Sequence, residues 1–183
     1  MINSPEKFNF KRVQRLPVLK SGKKKPQFEY LNVVTAFDIE TTVIKKYEQA
    51  IMWSWQFQIC NTTVIGREWS QFQSFIDKLD AAIPDGCRLV CYVHNLSYEW
   101  QFIKNLIPIT SVFAMDKRKV LRVISDKIEF RCSYLHSNMS LRQFLKRMGV
   151  KDQKGELDYS KRRYPWTKIN NSELKYIVND VKG

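Results

Sequence analysis

Hydrophobic and polar positions follow two periods along this chain, and together they predict a sheet with helices on its faces. Continuous or alternating apolar runs predict strands, whereas apolar residues that recur every three or four positions predict helices. The predicted strands, in chain order, are "YLNVVTAFDIETT", "IMWSWQFQIC", "TTVIGREW", "CRLVCYVHN" and a hairpin, "KVLRVISDKIEFRCSYL". The predicted helices are "SQFQSFIDKLDAAIP" with Ser70 as N-cap, "SYEWQFIKNLI", "SLRQFLKRMGV", and "NSELKYIVNDV" with Asn171 or Ser172 as N-cap.

The order of these elements predicts an α/β fold built on one mixed sheet. Three strands come first, and a helix, a strand and a helix follow. The strand that contains Asp38 is very apolar, so we expect it at the centre, with "LVCYVHN" beside it through a right-handed crossover. Ligands of such sheets collect at the carboxyl ends of parallel strands. Asp38, Glu40 and Asn95 are therefore expected near one another.

Residues 1–28 differ from the rest in composition, and we interpret them as a basic N-terminal arm before a single domain over residues 29–183. Residues 1–30 contain eight Lys/Arg and two Glu. The stretch "KSGKKKPQ" is a charge run broken by Gly and Pro, which is typical of a mobile, solvated segment. The alternative is that the apolar residues of this segment, Phe8, Phe10, Val13 or Leu16, pack on the sheet.

The charge of the chain narrows the classes of partner. Thirty-one Lys+Arg against 18 Asp+Glu leave a formal charge of +13. Such an excess favours a polyanionic partner, with nucleic acid ahead of a membrane, over a merely solubilising surface. No apolar run approaches the roughly 18–20 residues of a membrane span, and the N-terminus is too polar for a signal peptide. A cytoplasmic location without membrane contact is therefore expected.

Two carboxylates interrupt the most apolar strand. Asp38 and Glu40 are two residues apart, so both point to the same face, where their charges repel unless a cation lies between them. Glu99, in the first turns of the second helix, can reach the same edge of the sheet. Asp180 can reach it too, and it shares a helix face with Tyr176 four residues earlier. Glu99 or Asp180 alone would ordinarily be a surface residue, but four carboxylates together suit Mg²⁺ or Mn²⁺.

The order and context of these residues resemble one protein family. "FDIETT" is similar to a first exonuclease motif, Asp-x-Glu, "YVHNLSYEWQFI" to a second, His-Asn-Leu-x-Phe/Tyr-Asp, and "YIVND" to a third, Tyr-x-x-x-Asp. "KGELDYSKRRYP" resembles the Lys-Gly-Asp-x-Asp-Tyr segment between the last two. Over about residues 31–183 the chain thus resembles the DEDDy-type 3′–5′ exonuclease domain of the protein-primed family B DNA polymerases of phages and linear plasmids. Glu99 departs from the family, whose second motif usually ends in Asp.

The resemblance implies an RNase H-like mixed sheet flanked by helices, with an inserted β-hairpin. It implies a proofreading exonuclease that hydrolyses single-stranded DNA 3′ ends to nucleoside monophosphates with two divalent ions, Mg²⁺ or Mn²⁺, about 3.5–4 Å apart. The implied metal ligands are Asp38, Glu40, Glu99 and Asp180. In the implied mechanism Tyr176 orients the attacking water and Lys154 stabilises charge on the phosphate. The residues implied to hold the terminal nucleotides are Thr41, Asn95, Tyr98 and Tyr159.

The resemblance also implies partners and leaves alternatives. It implies a polymerase domain C-terminal to this stretch, a terminal priming protein, a monomeric state and, for a phage-encoded chain, the host cytoplasm. One alternative is a nucleic-acid-binding module whose catalysis is weakened by Glu99. Another is a stand-alone DEDD-type nuclease that acts on RNA. The basic loop around Tyr164 and Trp166 either stacks on bases of a single strand or uses these aromatic residues as anchors to the core.

Overall fold

The computed structural model describes residues 1–20, 22, 27–116, 119–149 and 157–182. None of the helices in these ranges is long and apolar enough to cross a membrane. The strands are β1 (Ile2–Asn3), β2 (Val18–Leu19), β3 (Glu29–Leu31), β4 (Thr35–Ile44), β5 (Gln49–Ile59), β6 (Thr62–Gly66), β7 (Cys87–Val93), β8 (Ser111–Ala114), β9 (Val120–Ser125) and β10 (Ile128–Cys132). The α-helices are α1 (Trp69–Ala82), α2 (Leu96–Ile103), α3 (Ser133–Ser137), α4 (Leu141–Arg147) and α5 (Asn171–Lys182).

One mixed sheet organises the fold, with the strand order β1-β6-β5-β4-β7-β10-β9-β8. As predicted, β4 is central, and it pairs antiparallel with β5 and parallel with β7. The predicted hairpin is β9 and β10, and it extends the main sheet because β10 pairs parallel with β7. The α/β fold class with helices on a mixed sheet is confirmed. The short strands β1, β2 and β8 and the helix α3 were not predicted, and the predicted first strand is divided into β3 and β4.

The central strand β4 is much longer than its contact with β7. Only Thr35 and Ala36 of β4 have partners on β7, and β7 ends at Val93. Beyond Ala36, in the part of the chain that the structure describes, β4 pairs with β5 alone. The polypeptide of β7 turns there into α2. Asp38 and Glu40 therefore stand beside a gap in the sheet.

The first residues of α1 and α5 correct both predicted N-caps. Glu68 is the N-cap of α1, and its backbone N–H donates to the side chain of Gln71. Ser70 is already inside the helix, and its hydroxyl donates to the Glu68 carboxylate. At α5, Asn170 and Glu173 exchange hydrogen bonds between side chain and backbone N–H, in the pattern of a capping box. In α1 the cap precedes the predicted residue by two positions, and in α5 it precedes Asn171 by one.

Residues 1–20 pack on the sheet, which corrects the expectation of a solvated arm for this part. β1 pairs in parallel with β6 at the sheet edge. Phe8 and Val13 are only 5% and 0% exposed, and the Phe8 ring lies 5.7 Å from that of Phe75 in α1. The basic residues of this segment are exposed while Phe8 and Val13 are buried, so its high charge does not reveal that it packs on the sheet. Most of the run "KSGKKKPQ" lies outside the described residues.

We expect Phe8→Ala to lower the free energy of unfolding by about 3–5 kcal/mol, because it removes a buried ring from a packed aromatic cluster. Urea denaturation of the purified protein measures the change. Ile2→Ala, at a side chain that is 47% exposed, is the control and should cost about 0.5 kcal/mol or less. If both variants unfolded at the parental urea concentration, the N-terminal segment would be solvated after all.

Candidate active site

A cleft of about 770 Å³ opens beside the gap in the sheet. Its walls come from β4, the start of α2, α5, and the segment that precedes α5. Nine of the ten predicted site residues line it: Asp38, Glu40, Thr41, Asn95, Tyr98, Glu99, Tyr159, Tyr176 and Asp180. The tenth, Lys154, lies outside the described residues. The fold thus brings together side chains that are up to 142 positions apart in the chain.

Three carboxylates form a cluster at the floor of the cleft. Asp38 and Glu40 project from the same face of β4, and Asp180 projects toward them from α5, which packs across β4 and β5. One ligand oxygen from each of the three lies within 4.8 Å of the others. An all-oxygen donor set of this spacing is suited to a hard divalent cation. Asp38, Glu40 and Asp180 can therefore hold a metal ion.

Glu99 lies against this cluster from the side of α2. It is 3% exposed, and burial, followed by the negative charge of Asp38, raises its pKa well above the ordinary value. Its Oε2 atom is buried and has no hydrogen-bond partner among the described residues. A buried carboxylate oxygen without a donor is costly unless a cation supplies the missing contact. Glu99 can therefore serve as a further metal ligand. Its carboxylate is not one of the three whose oxygens lie within 4.8 Å of one another.

Gln56 holds one of these carboxylates in place, and sequence reasoning missed it. It lies directly opposite Asp38 on β5, is 0% exposed, and donates from Nε2 to Asp38 Oδ2 over 2.7 Å. The bond fixes the orientation of the Asp38 carboxylate at the cleft. The sequence signal is weak, because β5 also contains Ser54 and Gln58. The partner of Gln56 is evident only from the register between β4 and β5.

Tyr176 stands above the carboxylates as a protonated phenol. Burial and then the charge of Asp180 raise its pKa far above the ordinary value of a tyrosine. Its hydroxyl lies 2.8 Å from that of Tyr159, whose ring is 71% exposed at the mouth of the cleft. The pair forms a hydrogen-bonded bridge from the floor to the solvent. Tyr176 is therefore better suited to orienting a water molecule than to deprotonating one.

The opposite wall of the cleft carries Thr41, Tyr98 and Asn95. The hydroxyls of Thr41 and Tyr98 are 2.6 Å apart, and burial is the main cause that raises the pKa of Tyr98. Asn95 joins β7 to α2 in a left-handed conformation, with φ of 71°. Asn tolerates this conformation better than most residues, and strained backbone of this kind is common at functional sites. These polar groups can form hydrogen bonds with a ligand in the cleft.

A buried arginine shapes the basic side of the cleft. Arg163 is 4% exposed; its backbone N–H donates to Thr42 on β4 over 3.0 Å, and its Nε donates to Glu173 on α5 over 2.8 Å. It therefore clamps the segment before α5 between the sheet and the helix. Lys161 and Arg162, its neighbours, line the cleft with it. From the sequence, all three were expected to be basic residues of a loop. The pattern around a buried arginine does not differ from that around its exposed neighbours.

Two further aromatic residues of this segment, the half-buried Tyr164 and the exposed Trp166, stack on each other. Tyr164 and Trp166 lie with ring centroids 5.0 Å apart and planes 4° from parallel. Trp166 is 80% exposed, so it does not anchor the segment to the core. The backbone of Tyr164 is fixed instead, because its carbonyl accepts a hydrogen bond from Arg67 over 2.9 Å.

Comparison with known proteins identifies the fold. No protein-family model matches the sequence, and no curated protein matches it either. Among solved structures, phi29 DNA polymerase complexed with single-stranded DNA matches with a TM-score of 0.66 and 18% identity, over 82% of this chain and 29% of the polymerase. The same polymerase with primer-template DNA and incoming nucleotides gives the same values, and its orthorhombic crystal form gives a TM-score of 0.65.

At 18% identity the likeness shows the fold alone. It confirms the expected RNase H-like arrangement of a mixed sheet flanked by helices. The chain spans about 29% of the length of the polymerase that it matches.

Proposed function

We propose that this domain is a proofreading 3′–5′ exonuclease, which removes nucleoside monophosphates from the 3′ end of single-stranded DNA. The observation that carries the proposal is the convergence of Asp38, Glu40, Glu99 and Asp180 on one gap in the sheet. Tyr176 stands over the same gap. The formal charge of +13 suits a polyanionic substrate.

The four carboxylates would hold two divalent ions, Mg²⁺ or Mn²⁺, directly or through water. When bound, such ions activate a water molecule and stabilise the charge on the scissile phosphate. The protein contributes a fixed donor set. Gln56 orients Asp38, and α2 and α5 present Glu99 and Asp180 from opposite sides of β4.

The other cleft residues would position the substrate. Tyr176, kept protonated by its surroundings, would hold the attacking water through its hydroxyl. Thr41, Asn95, Tyr98 and Tyr159 would hold the terminal nucleotides, since each places a polar or aromatic group in the same cleft. Lys154 belongs to the proposal through the sequence resemblance, as a cation that stabilises developing charge on the phosphate.

The proposal extends to the setting in which the domain works. Its partner would be a polymerase domain, which the fold shared with phi29 DNA polymerase supports. The domain would act as a monomer in the host cytoplasm and would cooperate with a terminal priming protein. Both points are supported only by the resemblance of the motifs.

Digestion of matched 5′-labelled DNA and RNA oligonucleotides, with and without Mn²⁺, tests the proposed activity. We expect a ladder of shortened DNA products with Mn²⁺ and intact DNA in EDTA. A gel shift without shortening would instead identify a nucleic-acid-binding module. Faster shortening of RNA than of DNA would identify a stand-alone RNA nuclease.

We expect Tyr176→Phe to lower the rate of DNA shortening by roughly 10–10³-fold, because the phenol contributes one hydrogen bond to the reacting water. Single-strand affinity should change less, since the ring remains in place. Tyr164→Phe, outside the cleft, is the matched control and should keep the parental rate. Parallel loss of affinity and turnover in Tyr176→Phe would assign Tyr176 to substrate binding alone.

A further inference from the structure

The face of the sheet that carries Asp38 continues past the cleft as a row of aromatic and arginine side chains. Residues directly opposite on neighbouring strands point to the same face. Ala36 on β4 is opposite Tyr92 on β7, and Tyr92 is opposite Arg131 on β10. The row then continues from Arg131 to Arg122 on β9 and from Arg122 to Phe113 on β8. At about 4.8 Å per strand, the row from Tyr92 to Phe113 is roughly 14 Å long.

The row is open to solvent. Tyr92 is 39% exposed and Phe113 is 55% exposed, and the side chains of Arg131 and Arg122 are 30% and 46% exposed. Exposed aromatic rings beside arginine side chains on one sheet face do not form a hydrophobic core. They are a good arrangement for a ligand that offers both flat rings and negative charge.

A buried carboxylate fixes the arginines of this face. Glu129 is 0% exposed and accepts hydrogen bonds from Arg131 Nε over 2.9 Å and from the Tyr30 hydroxyl over 3.1 Å. Arg88 and Arg122 approach it at 3.9 and 3.8 Å. Three guanidinium groups against one carboxylate leave this cluster with a net charge of +2. The positive charge is thus held in place before any ligand arrives.

The row begins at the wall of the catalytic cleft. Tyr92 lines a pocket of about 430 Å³ together with Ala36, Asp38 and Asp180. A strand whose 3′ end lies at the carboxylates can therefore leave the cleft through this pocket and continue onto the row.

We infer that Arg131, Arg122 and Phe113 bind the single strand upstream of its 3′-terminal nucleotides, with the guanidinium groups on phosphates and the Phe113 ring stacked on a base. The direction of the strand rests on the proposed exonuclease function, whereas the affinity for a single strand does not. Guanidinium groups match phosphate oxygens in geometry and charge. An apolar protein partner would instead desolvate these charges without compensation.

The test is the double variant Phe113→Ala/Arg122→Ala, which leaves the Arg131–Glu129 contact intact. Binding of an oligothymidylate of about 20 nucleotides is measured by fluorescence anisotropy in EDTA, and shortening of the same oligomer and of a trinucleotide is measured with Mn²⁺. We expect the dissociation constant of the long strand to rise about tenfold, and the salt dependence of its binding to weaken. The trinucleotide, which is too short to reach the row, should be cleaved at the parental rate.

Two further variants serve as controls. Arg15→Ala/Val112→Ala is the first control. It removes one arginine from the N-terminal segment and one exposed apolar side chain from the other face of β8. This variant should bind the long strand as tightly as the parent does. Arg122→Lys with Phe113→Tyr keeps charge and ring and should restore most of the affinity. An unchanged dissociation constant in the Phe113→Ala/Arg122→Ala variant would overturn the inference. So would an equal loss of cleavage for the trinucleotide and the long strand, or a change in oligomeric state that accounts for the weaker binding.

The outcomes separate this inference from the proposed function. If the parent protein shortens DNA but the row variant binds long strands as tightly as the parent does, the proposed exonuclease function is supported and the proposed role of the row is rejected. If the parent protein binds long strands through the row but does not shorten them, the proposed role of the row is supported and the proposed exonuclease function is rejected.

Discussion

Replacement of two cluster carboxylates by their amides, Asp38→Asn/Glu40→Gln, is expected to reduce the shortening of single-stranded DNA by roughly 10³-fold or more. The substitutions preserve side-chain shape but remove the charges that a divalent cation needs. The amide at position 38 can still accept the hydrogen bond from Gln56, so the fold should persist. In EDTA the variant should melt at the parental temperature or above it, because like charges no longer face each other.

The matched control removes two carboxylates from exposed positions on the surface. Asp77→Asn/Asp126→Asn loses the same charge and should degrade DNA at the parental rate. Degradation of labelled oligonucleotides and thermal melting in EDTA measure both variants. If Asp38→Asn/Glu40→Gln shortened DNA as fast as this control, the cluster would have no part in catalysis.

Glu99→Gln should be nearly inactive, and Glu99→Asp should be impaired by roughly 10²-fold although it introduces the residue usual in the family that the motifs resemble. Mg²⁺ holds its oxygen ligands at about 2.0–2.1 Å in a strict octahedron, and one methylene changes the reach of a carboxylate by roughly 1.5 Å. Glu99 is already buried against Asp38 with an unsatisfied oxygen. The backbone of α2 is therefore expected to suit the longer side chain.

The two Glu99 variants and the parent are assayed on a single-stranded DNA end across a series of Mg²⁺ and Mn²⁺ concentrations. Glu6→Gln, at an exposed residue near α1, is the control for loss of one carboxylate. Much faster turnover by Glu99→Asp than by the parent would identify a weakened exonuclease and favour the binding-module alternative. Full activity of Glu99→Gln would show that Glu99 is not a ligand.

The parts of the fold that the sequence predicts are those with a strong periodic signal. β4 and β7 appear as nearly continuous runs of apolar and β-branched residues, while α1 places Phe72 and Phe75 at helical spacing. Because the carboxylates of the first motif stand on such a run, the pattern also predicted where Asp38 and Glu40 would lie. Position along a strand with a strong apolar pattern was enough to predict that these two carboxylates share one edge of the sheet.

The missed features depend on contacts between distant segments. Gln56 and Glu129 are buried polar residues whose partners are set by strand register, and no pattern within one strand shows which residue will lie opposite. Arg163 is buried by contacts with β4 and α5 at once. β8 is exposed along its whole length, so burial leaves no period in its sequence.

The pairing of β1 with β6 has a consequence for handling this domain as a separate protein. Four of the five residues of β6 are buried, and two residues at the N-terminus pair with its outer edge. Very short edge strands limit the association of sheets from different molecules, whereas a longer bare edge offers unpaired backbone groups to another chain. A polypeptide that begins at residue 29 would expose β6 in this way. Such a truncated chain would be prone to aggregate through strand addition, even where its catalytic carboxylates are intact.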